Sequence, residues 1–113
     1  MKLVALAAMV AALVVPSALA ASPTLTGTVG PGFTITLKKG TAKVTKLKAG
    51  SYTIKVSDKS KIHNFHLKGP GVSKTTSVGG TGTSTWKVTL KKGKYTIVCD
   101  PHASFMKSTF VVS

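Results

Sequence analysis

Hydrophobic and polar residues alternate along most of the chain after residue 23, a pattern typical of β-strands with one buried face. The clearest alternation covers 33–37, 52–56 and 86–90. Weaker patterns predict further strands over 24–29, 43–47, 61–67, 94–99 and 107–112. Residues 69–84 are rich in glycine, serine and threonine and predict a long surface connection, with a short strand near 75–78 as an option. Seven or eight short strands predict an all-β domain, either a two-sheet sandwich or a closed barrel.

The first twenty residues have a different character from the rest of the chain. A lysine precedes an apolar run at 3–15, and Ala18-x-Ala20 follows as the pattern of a cleavage site. The run is shorter than the ~20 apolar residues that a helix needs to cross a bilayer. These features predict a signal peptide at 1–20, cleaved after Ala20, and a single secreted or periplasmic domain at 21–113 without a membrane span.

Charge limits the functions that this chain can have. All 16 basic residues are lysine, the only acidic residues are Asp58 and Asp100, and the net charge is +14. Such a balance favours acidic partners or anionic surfaces. Arginine, which forms bidentate hydrogen bonds with bases and phosphates, is absent from the sequence. We therefore expect no nucleic-acid partner. Two carboxylates leave no acid–base pair of the glycosidase kind, and we expect a protein that is not an enzyme.

Candidate chemistry is concentrated in two short segments, 62–67 and 99–106, which contain all three histidines and the only cysteine. Cys99 ends a predicted strand, and His102 and Met106 follow it in a loop. A thiolate, an imidazole and a thioether suit copper better than calcium or magnesium, which prefer oxygen ligands. The sequence therefore predicts a copper site that still needs a second imidazole.

Either His63 or His66 can supply the missing imidazole. On a strand, His63 shares a face with Phe65 and Leu67, whereas His66 shares the other face with Ile62. The face with His63 is the more apolar of the two. Strand parity therefore favours His63 as the inward ligand and leaves His66 as the alternative ligand.

His63-Asn64 followed by Cys99-x-x-His102-x-x-x-Met106 resembles the cupredoxin family, which includes plastocyanin, azurin, pseudoazurin and amicyanin. The resemblance implies a Greek-key β-sandwich of seven to eight strands. It also implies that His63, Cys99 and His102 are equatorial copper ligands, that Met106 is a weak axial ligand, and that Asn64 bonds across to the ligand loop.

The resemblance also covers the predicted hairpin at 86–99, so that it extends over roughly 32–113. The implied function is one-electron transfer to an acidic redox protein, through an apolar docking patch around His102 formed by Pro101, Ala103 and Phe105. We expect a monomer. Two other functions remain open at this point: a secreted copper carrier or scavenger without a fast redox role, and a structural or interaction module of the same fold that holds no metal.

Overall fold

The alternating segments build two five-stranded β-sheets. The computed structural model describes residues 22–113, so the predicted signal peptide lies outside the described residues. The first sheet contains β1 (Thr24–Val29), β2 (Ile35–Lys39), β3 (Ala42–Lys43), β5 (Gly50–Asp58) and β8 (Gly82–Leu90). The second contains β4 (Lys46–Leu47), β6 (His66–Gly69), β7 (Val72–Thr75), β9 (Gly93–Val98) and β10 (Lys107–Val112). No helix within 22–113 has the length and apolar character needed to cross a membrane.

The strand order confirms the predicted all-β sandwich. The first sheet runs β3-β2-β1-β5-β8 and the second β4-β10-β9-β6-β7. The pairs β1–β5 and β4–β10 are parallel, so the chain crosses between the sheets as in Greek-key folds instead of forming hairpins alone. Both sheets and the core between them are built within residues 22–113.

One apolar core fills the space between the sheets. It is lined by the inward residues of the alternating segments, including the fully buried Leu25, Ile54, Leu90 and Phe65. Burial of such side chains contributes about 1.5–3 kcal/mol each, which makes the sandwich the main source of rigidity beneath the site. The alternation in the sequence thus corresponds to the inward and outward faces of the sheets.

Three strand predictions need correction. The predicted strand 43–47 is divided into β3 and β4, which belong to different sheets, and together with β7 this raises the number of strands to ten. The connection predicted over 69–84 is much shorter, because a tight turn at Pro70 and Gly71 joins β6 to β7 and β8 begins at Gly82. Gly71 has a φ of 70°, which glycine adopts without the strain of a side chain.

The third correction concerns 61–67, because β6 begins only at His66. Before His66, hydrogen bonds to side chains replace the backbone hydrogen bonds that would pair a strand with its neighbour. The buried Asp58 carboxylate accepts hydrogen bonds from Ser60 N (3.1 Å) and Thr76 Oγ1 (3.0 Å). Thr76 Oγ1 in turn accepts one from Phe65 N (2.8 Å). The segment is therefore a fixed loop, and its burial does not follow from strand parity.

The connections lie at two opposite ends of the sandwich. The long-loop end, residues 30–34, 59–65 and 99–106, lies where β1, β5 and β9 finish. The short-turn end, residues 48–49, 70–71 and 91–92, lies at the opposite ends of these strands. Both segments predicted to carry chemistry therefore meet at the long-loop end.

Gly69 provides a test of the packing between β6 and β9. A Cβ at this position would overlap the Tyr95 ring, which is stacked on Phe110 with a centroid distance of 5.3 Å. The ring cannot move aside easily, because its hydroxyl accepts a hydrogen bond from Lys91 N (2.9 Å). We expect Gly69→Ala to lower the free energy of unfolding by about 1–3 kcal/mol in urea titrations.

The matched control for this substitution is Gly79→Ala, because a Cβ at Gly79 meets no atom within 4 Å. We expect the control to change the free energy of unfolding by less than about 0.5 kcal/mol. Equal effects of the two substitutions would show that Tyr95 is not held in place.

Candidate metal centre

One thiol and two imidazoles face each other at the long-loop end. Cys99 Sγ lies 3.6 Å from His63 Nδ1 and 3.5 Å from His102 Nδ1, and the two Nδ1 atoms are 3.1 Å apart. His63 and Cys99 are fully buried, and His102 is partly buried. Among the described residues, this is the group of histidine, cysteine and carboxylate side chains that is arranged to hold a metal ion.

The spacing of these three atoms fits a single transition-metal ion. An ion bound to a thiolate at ~2.3 Å and to imidazoles at ~2.0–2.1 Å places its ligand atoms roughly 3.3–3.8 Å apart at tetrahedral to trigonal angles. The observed separations of 3.1–3.6 Å are close to this range. The donor set, with one soft sulfur and two nitrogens, is one that copper accepts.

The loop after β9 positions Cys99 and His102. A short 3-10 helix at Asp100–His102 begins with Pro101 near its first turn, where the missing N–H of proline has no cost. Cys99 N donates to Met106 O (2.9 Å), and Met106 N donates to His102 O (2.9 Å). These backbone bonds close the loop on itself and fix both donors on the same side.

Met106 closes the same loop and is buried, with 1% of its surface exposed. It packs within the core cluster that also contains Cys99. The predicted axial ligand therefore lies in the same apolar cluster as Cys99. Its role as a ligand remains a prediction.

Asn64 joins the two segments of the site. Its Oδ1 accepts a hydrogen bond from Asp100 N (2.7 Å), and its Nδ2 donates to Asp100 Oδ2 (2.8 Å) and Thr75 Oγ1 (2.9 Å). Asn64 is almost completely buried, which shields its own side of these bonds from water, whereas Asp100 and Thr75 are exposed. The residues on either side of this bridge, His63 and Cys99, are consequently held at a fixed separation.

His66 lies outside the group of donors. Its Nδ1 is 3.0 Å from Asp100 Oδ2, and its Nε2 is 3.0 Å from Ser73 Oγ. Both ring nitrogens are therefore engaged on the outer side of the ligand loop. His66 is not among the three donors that face one another, and its role as the alternative ligand stays untested. His63 is buried, as strand parity predicted, although 61–65 is not a strand.

Asp100 has an altered titration at this position. Partial burial raises its pKa, but hydrogen bonds from Asn64 and His66, together with the positive charges of His66 and Lys68, outweigh that effect. The pKa of Asp100 therefore lies below its ordinary value. The Asp100 carboxylate, next to Cys99 in the sequence, therefore forms hydrogen bonds with Asn64 and His66.

Phe33 is a part of the site that the sequence did not identify. The alternation predicted a strand from residue 33, but β2 begins at Ile35 and Phe33 is 58% exposed. Its ring centroid lies 5.0 Å from that of His63 and 5.2 Å from that of His102, both edge-on. The Gly-Pro-Gly sequence before Phe33 was the available signal, since it favours a loop over a strand.

The His63 ring is held in place by packing against Phe33, a role that a hydrogen bond usually fills for a histidine ligand. His63 Nε2 is buried and has no hydrogen-bond partner among residues 22–113. Histidine ligands commonly donate their outer N–H to an acceptor. The Phe33 loop is itself fixed by Gly30 N, which donates to Thr34 O (2.9 Å). The orientation of this imidazole thus depends on aromatic contact.

Comparison with known proteins identifies the family. The family model described as copper binding proteins of the plastocyanin/azurin family matches residues 31–113, which include the whole site. The chain therefore belongs to this family of copper-binding proteins, and copper is its cofactor. A search among curated protein sequences found no match.

Solved structures of rusticyanin share the fold. A methionine-to-glutamine variant of rusticyanin is 20% identical with a TM-score of 0.60, covering 82% of this chain and 80% of that chain. A rusticyanin described as a copper protein is 19% identical with a TM-score of 0.59 and coverages of 82% and 80%. Rusticyanin from Thiobacillus ferrooxidans is 20% identical with a TM-score of 0.55 and coverages of 82% and 79%. At this identity, the likeness concerns the fold.

The depressed pKa of Asp100 predicts how stability depends on acid. Its contribution to stability is complete above the pKa of an unfolded aspartate, about 3.9, and is lost as the pH falls through the lower folded value. We therefore expect the unfolding free energy of the metal-free protein to fall as the pH drops below about 4. Asp100→Asn should flatten that fall, as measured by urea titration at each pH. Parallel curves for both proteins would contradict the prediction.

Proposed function

We propose that the protein is a type 1, or blue, copper protein that carries single electrons. His63, Cys99 and His102 would hold the copper, with Met106 as a weak axial ligand. The observation that carries the proposal is the group of three mutually facing donor atoms, two of them on fully buried residues. A trigonal thiolate and two imidazoles with a weak thioether are the donor set of blue-copper sites.

Rigidity supports electron transfer over simple copper storage. The two segments that carry His63 and Cys99 are locked by Asn64, and the His102 loop is closed by backbone bonds. Copper supplies a one-electron redox couple when it is bound, and a fixed donor set limits rearrangement between its oxidation states. A protein that transports copper must release the metal, and a fixed donor set does not help release. We therefore favour electron transfer over the function of a copper carrier or scavenger.

The exposed surface around His102 supports a role in docking. Pro101, Ala103 and Phe105 are exposed, and Phe105 has 60% of its surface accessible. Phe33 extends the same surface, with its ring centroid 6.1 Å from that of Phe105. An apolar patch of this kind excludes water at a contact, as expected where an electron passes to a partner.

The wider biological setting is also part of the proposal. The partner would be an acidic redox protein, attracted by the net charge, which is +14 for the whole chain and +13 once Lys2 is removed with the proposed signal peptide. We further propose that residues 1–20 are a cleaved signal peptide, that the protein is secreted or periplasmic, that it works as a monomer, and that it is not an enzyme.

Cys99 provides the first test of the copper site. Copper(II) added to the purified domain should give an intense visible absorption band, because a thiolate bound to copper(II) transfers charge to the metal. Cys99→Ser should abolish this band. A serine variant that keeps the band would place the copper elsewhere.

Two histidine variants form a matched pair in the same measurement. His63→Ala should abolish the band, because His63 Nδ1 faces Cys99 Sγ at 3.6 Å. His66→Ala should keep it, because the His66 ring bonds to Asp100 and Ser73 instead. The opposite result would assign His66 as the ligand.

The apolar patch predicts where electrons leave. Phe105→Asp should slow electron exchange with both a neutral small reductant and an acidic redox protein, by about tenfold with the protein, because it charges the docking surface. Val111→Asp is the matched control, since Val111 is 48% exposed on β10, away from the site. We expect the control to change either rate by less than about twofold after correction for net charge. Equal slowing by the two variants, in stopped-flow measurements, would rule out this patch.

A further inference from the structure

Positive charge is concentrated at the short-turn end, opposite the copper site. We define the basic end as the exposed lysines near the turns 48–49 and 91–92. The strand register places them together, because Gly50 pairs with Leu90, and Val111 pairs with both Lys46 and Lys94. Its members are Lys39, Lys46, Lys48, Lys91, Lys92 and Lys94.

The long-loop end is balanced in charge by comparison. Its loops contain Lys59 and Lys61, and the two acidic residues of the chain, Asp58 and Asp100, lie at the same end. The protein is therefore electrically polarised along its length.

The basic end is also concave. A cavity of about 660 Å³ opens there, and Lys39, Lys46 and Lys48 are among the residues that line it. Tyr52 Oη donates to Lys48 O (2.7 Å) and so fixes the rim that carries Lys48. A fixed rim of lysines around a hollow can surround an anionic group from several sides.

The N-terminal end of the described chain also lies at the basic end. Pro23 lines the same cavity, and its carbonyl accepts a hydrogen bond from Thr53 N (2.9 Å). The chain before β1, including the apolar run at 3–15, therefore joins the domain at the basic end. Until the proposed cleavage after Ala20, an apolar run held in the exporting membrane would join the domain through its basic end, next to the lipid headgroups.

We propose that the basic end binds the anionic surface of a membrane and holds the protein with its copper site facing away from the lipid. Lysines near such a surface each contribute to binding through the negative potential of anionic lipids. Tyr52 is the one aromatic residue among those that line the cavity at the basic end, and it is buried. Binding is therefore electrostatic, without insertion of aromatic side chains into the lipid. The apolar patch around His102 stays free for a redox partner.

The proposal is independent of the proposed electron transfer, because the lysines lie away from the metal site. The test uses the domain at 21–113, metal-free and copper-loaded, in sedimentation with phosphatidylcholine vesicles containing about 30% phosphatidylglycerol at about 0.1 M salt. We expect binding that needs the phosphatidylglycerol and weakens as salt is raised. No binding to these vesicles at low salt would overturn the proposal.

Two triple variants with equal net charge locate the binding surface. Replacing Lys46, Lys48 and Lys94 by glutamine should weaken vesicle binding about tenfold to a hundredfold. Replacing Lys59, Lys61 and Lys107 by glutamine should weaken it less than about threefold, although it removes the same charge. All six side chains are exposed, so both variants should fold, which circular dichroism checks.

Three results would contradict the membrane proposal. Equal losses for the two triple variants would show that net charge acts without a defined face. Binding to soluble dextran sulfate but not to vesicles would assign the lysines to an anionic polymer. Binding to an acidic redox protein that is lost in the first triple variant, without vesicle binding, would assign them to a protein partner.

Discussion

The bridge made by the Asn64 side chain is the contact on which the site depends. It joins a loop of one segment to the ligand loop 36 residues further along the chain, through bonds in both directions to Asp100. The Asn64 side chain is buried, and a buried polar group that loses its partner costs about 1–3 kcal/mol, so the bridge stabilises the two loops together. The facing positions of His63 and Cys99 follow from this constraint. A largely apolar domain thus keeps a buried polar bridge at the place where the donor geometry is set.

The sequence allowed much of this architecture to be predicted, because alternation reports directly on sheets with one buried face. The strand at Thr24–Val29 and the one at Lys107–Val112 have the predicted limits. The strand predictions fail where hydrogen bonds to side chains replace the backbone hydrogen bonds between strands. Asp58 and Thr76 hold 61–65 as a loop, so the burial of His63 was predicted correctly from a strand that does not exist. Such bonds join residues distant in sequence, and a local pattern cannot reveal them.

Phe33 and the lysines show the same limit at the level of function. Phe33 contacts both imidazoles because its loop folds over the site, which no spacing motif encodes. The lysines were counted in the sequence as a general positive field, whereas the topology collects many of them at the end away from copper. The two proposals together separate an apolar contact beside His102 from a charged contact at the basic end. The exposed Phe105 and Phe33 support the first, and the clustered lysines support the second.

The central claim is that His63, Cys99 and His102 form one preformed site that holds copper in both oxidation states. X-ray absorption spectra of the copper(II) and copper(I) forms test it most directly, because they report the number and kind of atoms bound to the metal. The account predicts one sulfur and two imidazole nitrogens at short distance in both forms, with little change in bond length on reduction. Loss of an imidazole or of the short sulfur bond in the copper(I) form would contradict it.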